Sequence, residues 1–522
     1  MERVQRGEAD RSLLVNTLWF LEDHLSLEHP GWGRVEKGRD RLLFIESQAR
    51  AGHLPYHKKR QVFLYSAMRH FAEERRREGW KVEYHTLAKT KSVEEVLRKL
   101  EPEGTVFVME PNNLWEMRAF QRLEKVVRGG WEVLENTLFL VTREDFLRWA
   151  EGKKRLLMES HYRRLRVKLG LLVDEQGEPE GGRWNFDAEN RSGIKEWKKA
   201  GSPGPETTVG FAPDAITRQV MQEVEEALPD HPGSVAGFAW AVTREQALRV
   251  LEKFVHERLG HYGTFQDLMV TGQPTLFHAM ISPALNLGLL GPLECVQAAV
   301  DAYKQEKAPL AAVEAFVRQI IGWREFVRGV YWRQGEAYAG VNALGAERPL
   351  PEFFWTGETD LGCLRETLQE TLAHGFNHHI QRLMILGNFC LLAGIQPQEV
   401  LRWFSAMYLD AHEWVMAANV LGMALHADGG LMATKPYAGA AAYISRMSNY
   451  CESCRFDPNK KVGPGACPFN LMYWNFYDQH AERFAHNPRT SMPVRSWMKR
   501  NPEDRARIVA EAGAFLEGLP AS

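Results

Sequence analysis

Apolar positions in the first third of the chain fall in short runs, and the stretches between them repeat at helical spacing. Ser12 to Phe20, Arg41 to Glu46, Lys81 to Thr86, Thr105 to Met109 and Trp131 to Leu134 read as strands. Gln61 to Arg76 puts Phe63, Leu64, Ala67, Met68 and Phe71 on one helix face, and Ser92 to Leu100 and Leu114 to Arg128 supply further helices. Strand alternating with helix predicts a parallel sheet covered on both faces over residues 1–145, a Rossmann-like α/β domain with its ligand off the carboxyl ends of the strands. No G-x-G-x-x-G occurs there, so no dinucleotide is assigned.

After Phe238 the strand signal stops. Thr243 to Leu259, Leu293 to Lys304, Leu310 to Tyr331, Cys363 to Leu392, Pro397 to Phe404, Asp410 to Leu421 and Pro502 to Leu516 all read as helices, which predicts an all-α domain over 238–522. Residues 146–237 are left as a basic helix and a connector. The basic run holds Lys153, Lys154, Arg155, Arg163, Arg164, Arg166 and Lys168, a DNA surface or simply a solvated helix face. The connector, Asp174 to Gly204, exceeds the roughly 15 residues of an ordinary loop, and its aromatics Trp184 and Phe186 are expected to pin it to the body.

Composition narrows the function. The 522 residues predict two or three domains, and 65 basic against 67 acidic residues leave a net charge of −2, so a nucleic-acid surface has to be a local patch. No apolar run approaches the ~18 residues of a membrane span, and Met1 to Asp10 has no signal-peptide core, so a cytoplasmic protein is expected. Six cysteines are too sparse for a disulfide scaffold. Cys451 and Cys454 form a C-x-x-C, and Cys467 follows on a Gly- and Pro-rich loop, so a metal centre with one distant fourth ligand is expected. Cys390 and Cys295 lie in apolar helical runs where a buried thiol is ordinary, which selects Cys363. Spacing leaves zinc and an iron–sulfur cluster open, and Cys467-Pro468 leans toward the cluster. Ser282-Pro283 reads as a helix start with free N–H groups for an anion.

The residues together resemble the iron–sulfur bacterial branch of the photolyase/cryptochrome family, the prokaryotic (6-4) photolyases and related cryptochromes. The matching pieces are Ser66 to Ala72, Gly181 to Arg191, Thr264 to Met269, Ile281 to Asn286, Gly322 to Phe326, His378-His379, Trp414 to Met416 with Asn419, Gly429 to Tyr437 and the four cysteines. The resemblance implies a [4Fe–4S] cluster on Cys363, Cys451, Cys454 and Cys467, FAD in the helical domain and 6,7-dimethyl-8-ribityllumazine as antenna in the first domain. The implied flavin contacts are Thr264, Gln266, Asp267, Ser282, Arg324, Glu325, Glu413 and Asn419, with a plain ion pair as the alternative for Arg324 and Glu325.

His374 and His378 would share a helix face, and without the resemblance a zinc pair or polar core residues would be the plain reading. With it, His378, His379 and Tyr437 line a lesion pocket, at least one imidazole donating a proton. Trp355 and Trp403 match relay positions for electrons, with Phe404 where some relatives have Tyr, and Arg183, Arg191 and Lys435 are expected on UV-damaged DNA. Asp187 and Glu189 could hold a divalent cation, though a surface carboxylate pair is ordinary. The turn Glu22-Asp-His-Leu25 departs from the Gly-Asp-Gln-Leu-like turn of the family, which weakens the antenna expectation. The implied function is light-driven repair of pyrimidine-pyrimidone (6-4) photoproducts by a monomer, with a blue-light receptor that repairs nothing as the alternative.

Overall fold

The structure, a computed structural model, describes residues 14–153, 155–204 and 209–520; Lys154 of the basic run and the Met1 to Asp10 start lie outside them. The chain packs into two compact units. One comprises residues 14–146, 209–252 and 280–295, and the other 147–204, 253–279 and 296–520.

The first unit is built on five parallel strands, β1 (Thr17–Phe20), β2 (Arg41–Ile45), β3 (Lys81–His85), β4 (Val106–Met109) and β5 (Trp131–Leu134), in the order β3-β2-β1-β4-β5. Alternation along each strand sends side chains to two covered faces. Trp19, Leu43, Val106 and Val108 pack with Val96 and Leu97 of the Val93–Leu100 helix and Phe120 and Leu123 of the Leu114–Leu123 helix. Phe20 and Phe44 turn the other way, onto Phe71 of the Lys58–Arg77 helix. The order reverses between β1 and β4, the switch point where ligands of such sheets bind.

Polar residues crowd that edge. Asn112 donates to Asp23 at 2.8 Å, Asn136 to Asn112 at 2.9 Å, and Arg50 pairs with Glu22 and Glu116. Among the described residues, one buried oxygen of Glu22 has no hydrogen-bond partner. Burial pushes the Glu116 carboxyl up to about 7, against the pull of Arg50.

The second unit is helical, and among its described residues no helix is long and apolar enough to cross a membrane. Its helices are interrupted by wide π turns at Phe254–Arg258, Arg318–Arg324, Gln381–Gly387 and Ala418–Ala424. Such turns recur at functional sites, because an extra residue re-aims the side chains beside it.

The expected single helix from Cys363 to Leu392 is two. Gly362–His374 ends at Gly375, whose φ of 64° is the left-handed cap that glycine adopts without Cβ strain, and helix resumes only beyond Asn377. His374 and His378 therefore do not share a helix face. His374 ends the first helix, exposed, and His378 is buried in the turn that follows.

Candidate active site

The second unit assembles the site around the break at Asn377 and His378 and the helix start that follows it, through Arg382. Asn377, fully buried, accepts from Thr371 and, at 2.9 Å, from the Tyr408 hydroxyl, and it donates to the Thr367 carbonyl at 3.2 Å. Arg382 donates to the Asn377 carbonyl at 2.7 Å and grips Asp410 through two hydrogen bonds of 2.8 and 3.2 Å. Its guanidinium lies 3.9 Å over the Tyr408 ring.

That scaffold divides the two histidines. His378 is 2% exposed, and among the described residues neither ring nitrogen has a hydrogen-bond partner. Such a group costs about 1–3 kcal/mol unless something bound satisfies it. His379 is solvent-exposed, yet burial and then the Arg382 charge lower its pKa to about 4.

A third histidine, which sequence reasoning passed over, completes the group. His278 stacks on His378 with ring centroids 4.3 Å apart. It is far from His378 in sequence, and no local pattern marks it; Arg382 and Asp410 were missed for the same reason.

The expected flavin residues of this unit fall on several elements. Thr264 closes the Leu259–Phe265 helix and accepts from the Ser192 backbone at 3.2 Å, which brings the connector to this segment. Gln266 and Asp267 follow, and burial, partly offset by Arg191, raises Asp267 to about 6. Arg324 and Glu325 are a buried pair at 3.2 Å, the guanidinium 5.3 Å from the Trp414 ring. Glu413 opens the Glu413–Ala417 helix, and Asn419, in the wide turn after it, donates to the Val415 carbonyl at 2.8 Å, so its own carbonyl oxygen remains an acceptor. Ser282 belongs to the first unit, at the start of the Ser282–Leu287 helix.

The connector is held to the body at both aromatics: Phe186 is buried, the Arg166 guanidinium lies 5.1 Å from the Trp184 ring, and main-chain bonds add to this. The Phe186 amide donates to Glu314 at 3.2 Å, and the Trp184 carbonyl accepts from Arg166 at 3.0 Å. Arg166 is thereby wholly buried and leaves the basic run as a DNA surface. Asp187 pairs with Arg318, and Glu189 pairs with Arg183 at 2.5 Å, so arginines already neutralise the carboxylates considered for a cation. Arg191 remains exposed. The Lys435 pKa is lowered by burial and then by the charges of Arg489 and Arg191, which places three cations near one another, and the same two arginines act on Tyr437.

Trp403 is fully buried, its indole N–H donating to the Phe354 carbonyl at 2.9 Å. Its ring meets Phe354 edge-on at 5.2 Å, and Phe404 and Tyr408 at 5.2 and 5.9 Å. Trp355 follows Phe354 in the short Phe353–Thr356 helix.

The four cysteines converge. A Cβ added at Gly362 would lie 3.3 Å from the Cys454 sulfur, so glycine lets the Cys363 helix start approach the C-x-x-C. Burial and then Cys467, Cys451 and Cys454 raise the Cys363 pKa well above its ordinary value. Burial also pushes Cys451 up to about 12 and Cys467 to about 11, with neighbouring thiols adding to both. Four clustered thiols resist becoming thiolates together unless a cation compensates them. Among the described residues, no three His, Cys, Asp or Glu side chains are grouped tightly enough to hold a single metal ion.

Comparison with known proteins gives this geometry its family. Residues 18–240 match the family model described as deoxyribodipyrimidine photo-lyase-related protein. The chain is 42% identical over 508 residues to a (6-4) photolyase of Agrobacterium fabrum, covering 96% of this chain and 99% of that one. Among solved structures, a bacterial class III photolyase from Agrobacterium tumefaciens matches with a TM-score of 0.53 and 14% identity, covering 97% and 98% of the two chains. A Synechocystis cryptochrome matches with a TM-score of 0.51 and 16% identity, covering 97% and 95%. The two structures share the fold, and the near-full-length identity decides the kinship: the chain belongs to the (6-4) photolyase family within the photolyases and cryptochromes.

Proposed function

We propose that this protein is a DNA photolyase that repairs pyrimidine-pyrimidone (6-4) photoproducts in light. Kinship with the Agrobacterium fabrum enzyme supports the reaction, and the observation that carries it is the histidine pair, with one imidazole buried and the next exposed to solvent. Thr264, Gln266, Asp267, Arg324, Glu325, Glu413 and Asn419 would hold FAD, which supplies a light-driven electron when bound. The orphaned nitrogens of His378 and the spare acceptor of Asn419 fit a polar ring system.

The chain's own groups handle the proton. Near a pKa of about 4, His379 is neutral at neutral pH in the absence of DNA. Negative charge brought in by the substrate raises its proton affinity, so that it can donate to the lesion. His378 beneath holds the geometry. Photolyases take the damaged base out of the stack. Arg191, Lys435 and Arg489 form a cationic group suited to the phosphates, with Tyr437 beside the lesion. Arg183, already paired with Glu189, is a weaker candidate.

Cys363, Cys451, Cys454 and Cys467 are proposed to ligate a [4Fe–4S] cluster, whose all-sulfur donor set they match. The polar edge at β1 and β4, with its orphaned Glu22 oxygen, is the proposed seat of the ribityllumazine antenna. A monomer in the cytoplasm completes the reading.

The test is illumination of an oligonucleotide bearing one (6-4) lesion, with a cyclobutane dimer as control. Repair of the first alone is expected. A flavin-bearing protein that repairs neither would instead be a photoreceptor.

A further inference from the structure

One side chain joins the histidine turn to both cysteine-bearing segments. Gln381 is 1% exposed, and all its polar atoms are engaged. Its carbonyl oxygen accepts from the His378 backbone N–H at 3.1 Å, and its amide nitrogen donates to Glu370 at 2.5 Å and to the Tyr450 hydroxyl at 3.0 Å. Glu370 lies on the helix that carries Cys363 near its start, and Tyr450 directly precedes Cys451.

A buried amide is a demanding way to fill space. An apolar side chain of the same volume would need no partners, whereas an amide left unsatisfied would cost about 1–3 kcal/mol. What these bonds add is position. They fix the His378 amide relative to the Glu370 helix and to Tyr450, and at the same end of the turn Asn377 is bound to that helix again through Thr367 and Thr371.

We propose that Gln381 is a positioning residue that ties the His378–His379 turn to the cysteine shell, so that an assembled cluster sets where the two imidazoles stand. The proposal rests on the photolyase reading and on a metal cluster at the four cysteines. It gives the cluster a part in repair that requires no electron to pass through it. Misplacing a reacting group by ~1 Å can lower a rate about 100-fold.

The test compares the natural protein, as purified with flavin and iron, with Gln381→Met, Tyr450→Phe and Glu370→Gln. Amide hydrogen exchange over residues 376–382 is read beside kcat and KM for light-driven repair of a (6-4) oligonucleotide. In Gln381→Met the His378 amide should lose its protection and kcat should fall about 100-fold, with KM changed less than about twofold. Tyr450→Phe should lose part of that protection, although the hydroxyl it lacks never touches His378. Glu370→Gln keeps an acceptor and should retain protection.

Unchanged exchange at His378 in both Gln381→Met and Tyr450→Phe would overturn the tie. Lost protection with unchanged kcat would overturn its bearing on repair. If the natural protein repairs nothing in light, the photolyase reading fails, and the exchange data still decide the tie. Should Gln381→Met not fold, Tyr450→Phe against Glu370→Gln decides it.

Discussion

His278 and His378 stack face to face, ring centroids 4.3 Å apart and planes inclined by 10°. Among the described residues the His278 Nε2 has no hydrogen-bond partner. Burial first, and then the neighbouring His379, lowers the His278 pKa to about 3; burial and then His278 lower His378 well below its ordinary value.

Both folded values lie below the ordinary 6.5, so the neutral stack contributes its full stability above that pH and loses it as pH falls toward about 3. The urea midpoint should drop between about pH 6.5 and about pH 4, and drop less in His278→Phe, which stacks but cannot ionise. Parallel curves for the two proteins would refute this account.

His379→Ala should lower light-driven repair by about 100-fold or more, the ordinary size of a lost general acid, while flavin and iron content stay natural. His378→Ala should also reduce repair with cofactors retained. Full repair in both variants would remove the histidines from the reaction.

Trp403→Phe should stop or greatly slow photoreduction of oxidised flavin, followed as bleaching of its blue absorption, without loss of flavin. The buried N–H to Phe354 contributes about 1 kcal/mol, so a small fall in stability accompanies it. Unchanged bleaching kinetics would exclude Trp403 from the relay.

Cys363→Ser should abolish or sharply reduce bound iron and sulfide, whereas Cys390→Ser should leave both unchanged, since Cys390 is wholly buried at Phe389 and Leu391 of another helix. Equal iron in the two variants would disprove the ligand assignment.

Removing one cation from Lys435 or Arg489 should weaken binding to damaged DNA at every sequence and reduce the salt slope by about 1. Arg166→Ala should instead destabilise the fold, because that guanidinium holds the carbonyls of Leu171 and Trp184.

Some of this was readable residue by residue. The strands announced themselves because a buried parallel strand is apolar on both faces, and the approach of Cys451 to Cys454 because the two are near neighbours in sequence. The break after His374 was missed, although His374-Gly375 carries the ordinary sign of a helix end. Apolar spacing resumes at Leu383, Met384 and Leu386 and disguised the interruption.

By itself, then, the sequence determined the class of each half and, through its family motifs, the kinship. Tertiary structure alone decided which histidine is buried and which is exposed, that His278 joins them, that Arg166 is internal, and that Gln381 reaches both cysteine segments. Periodicity reports which way a side chain leaves its own element. Which distant element it meets depends on how helices pack, and contacts between residues a hundred positions apart leave no local pattern to read.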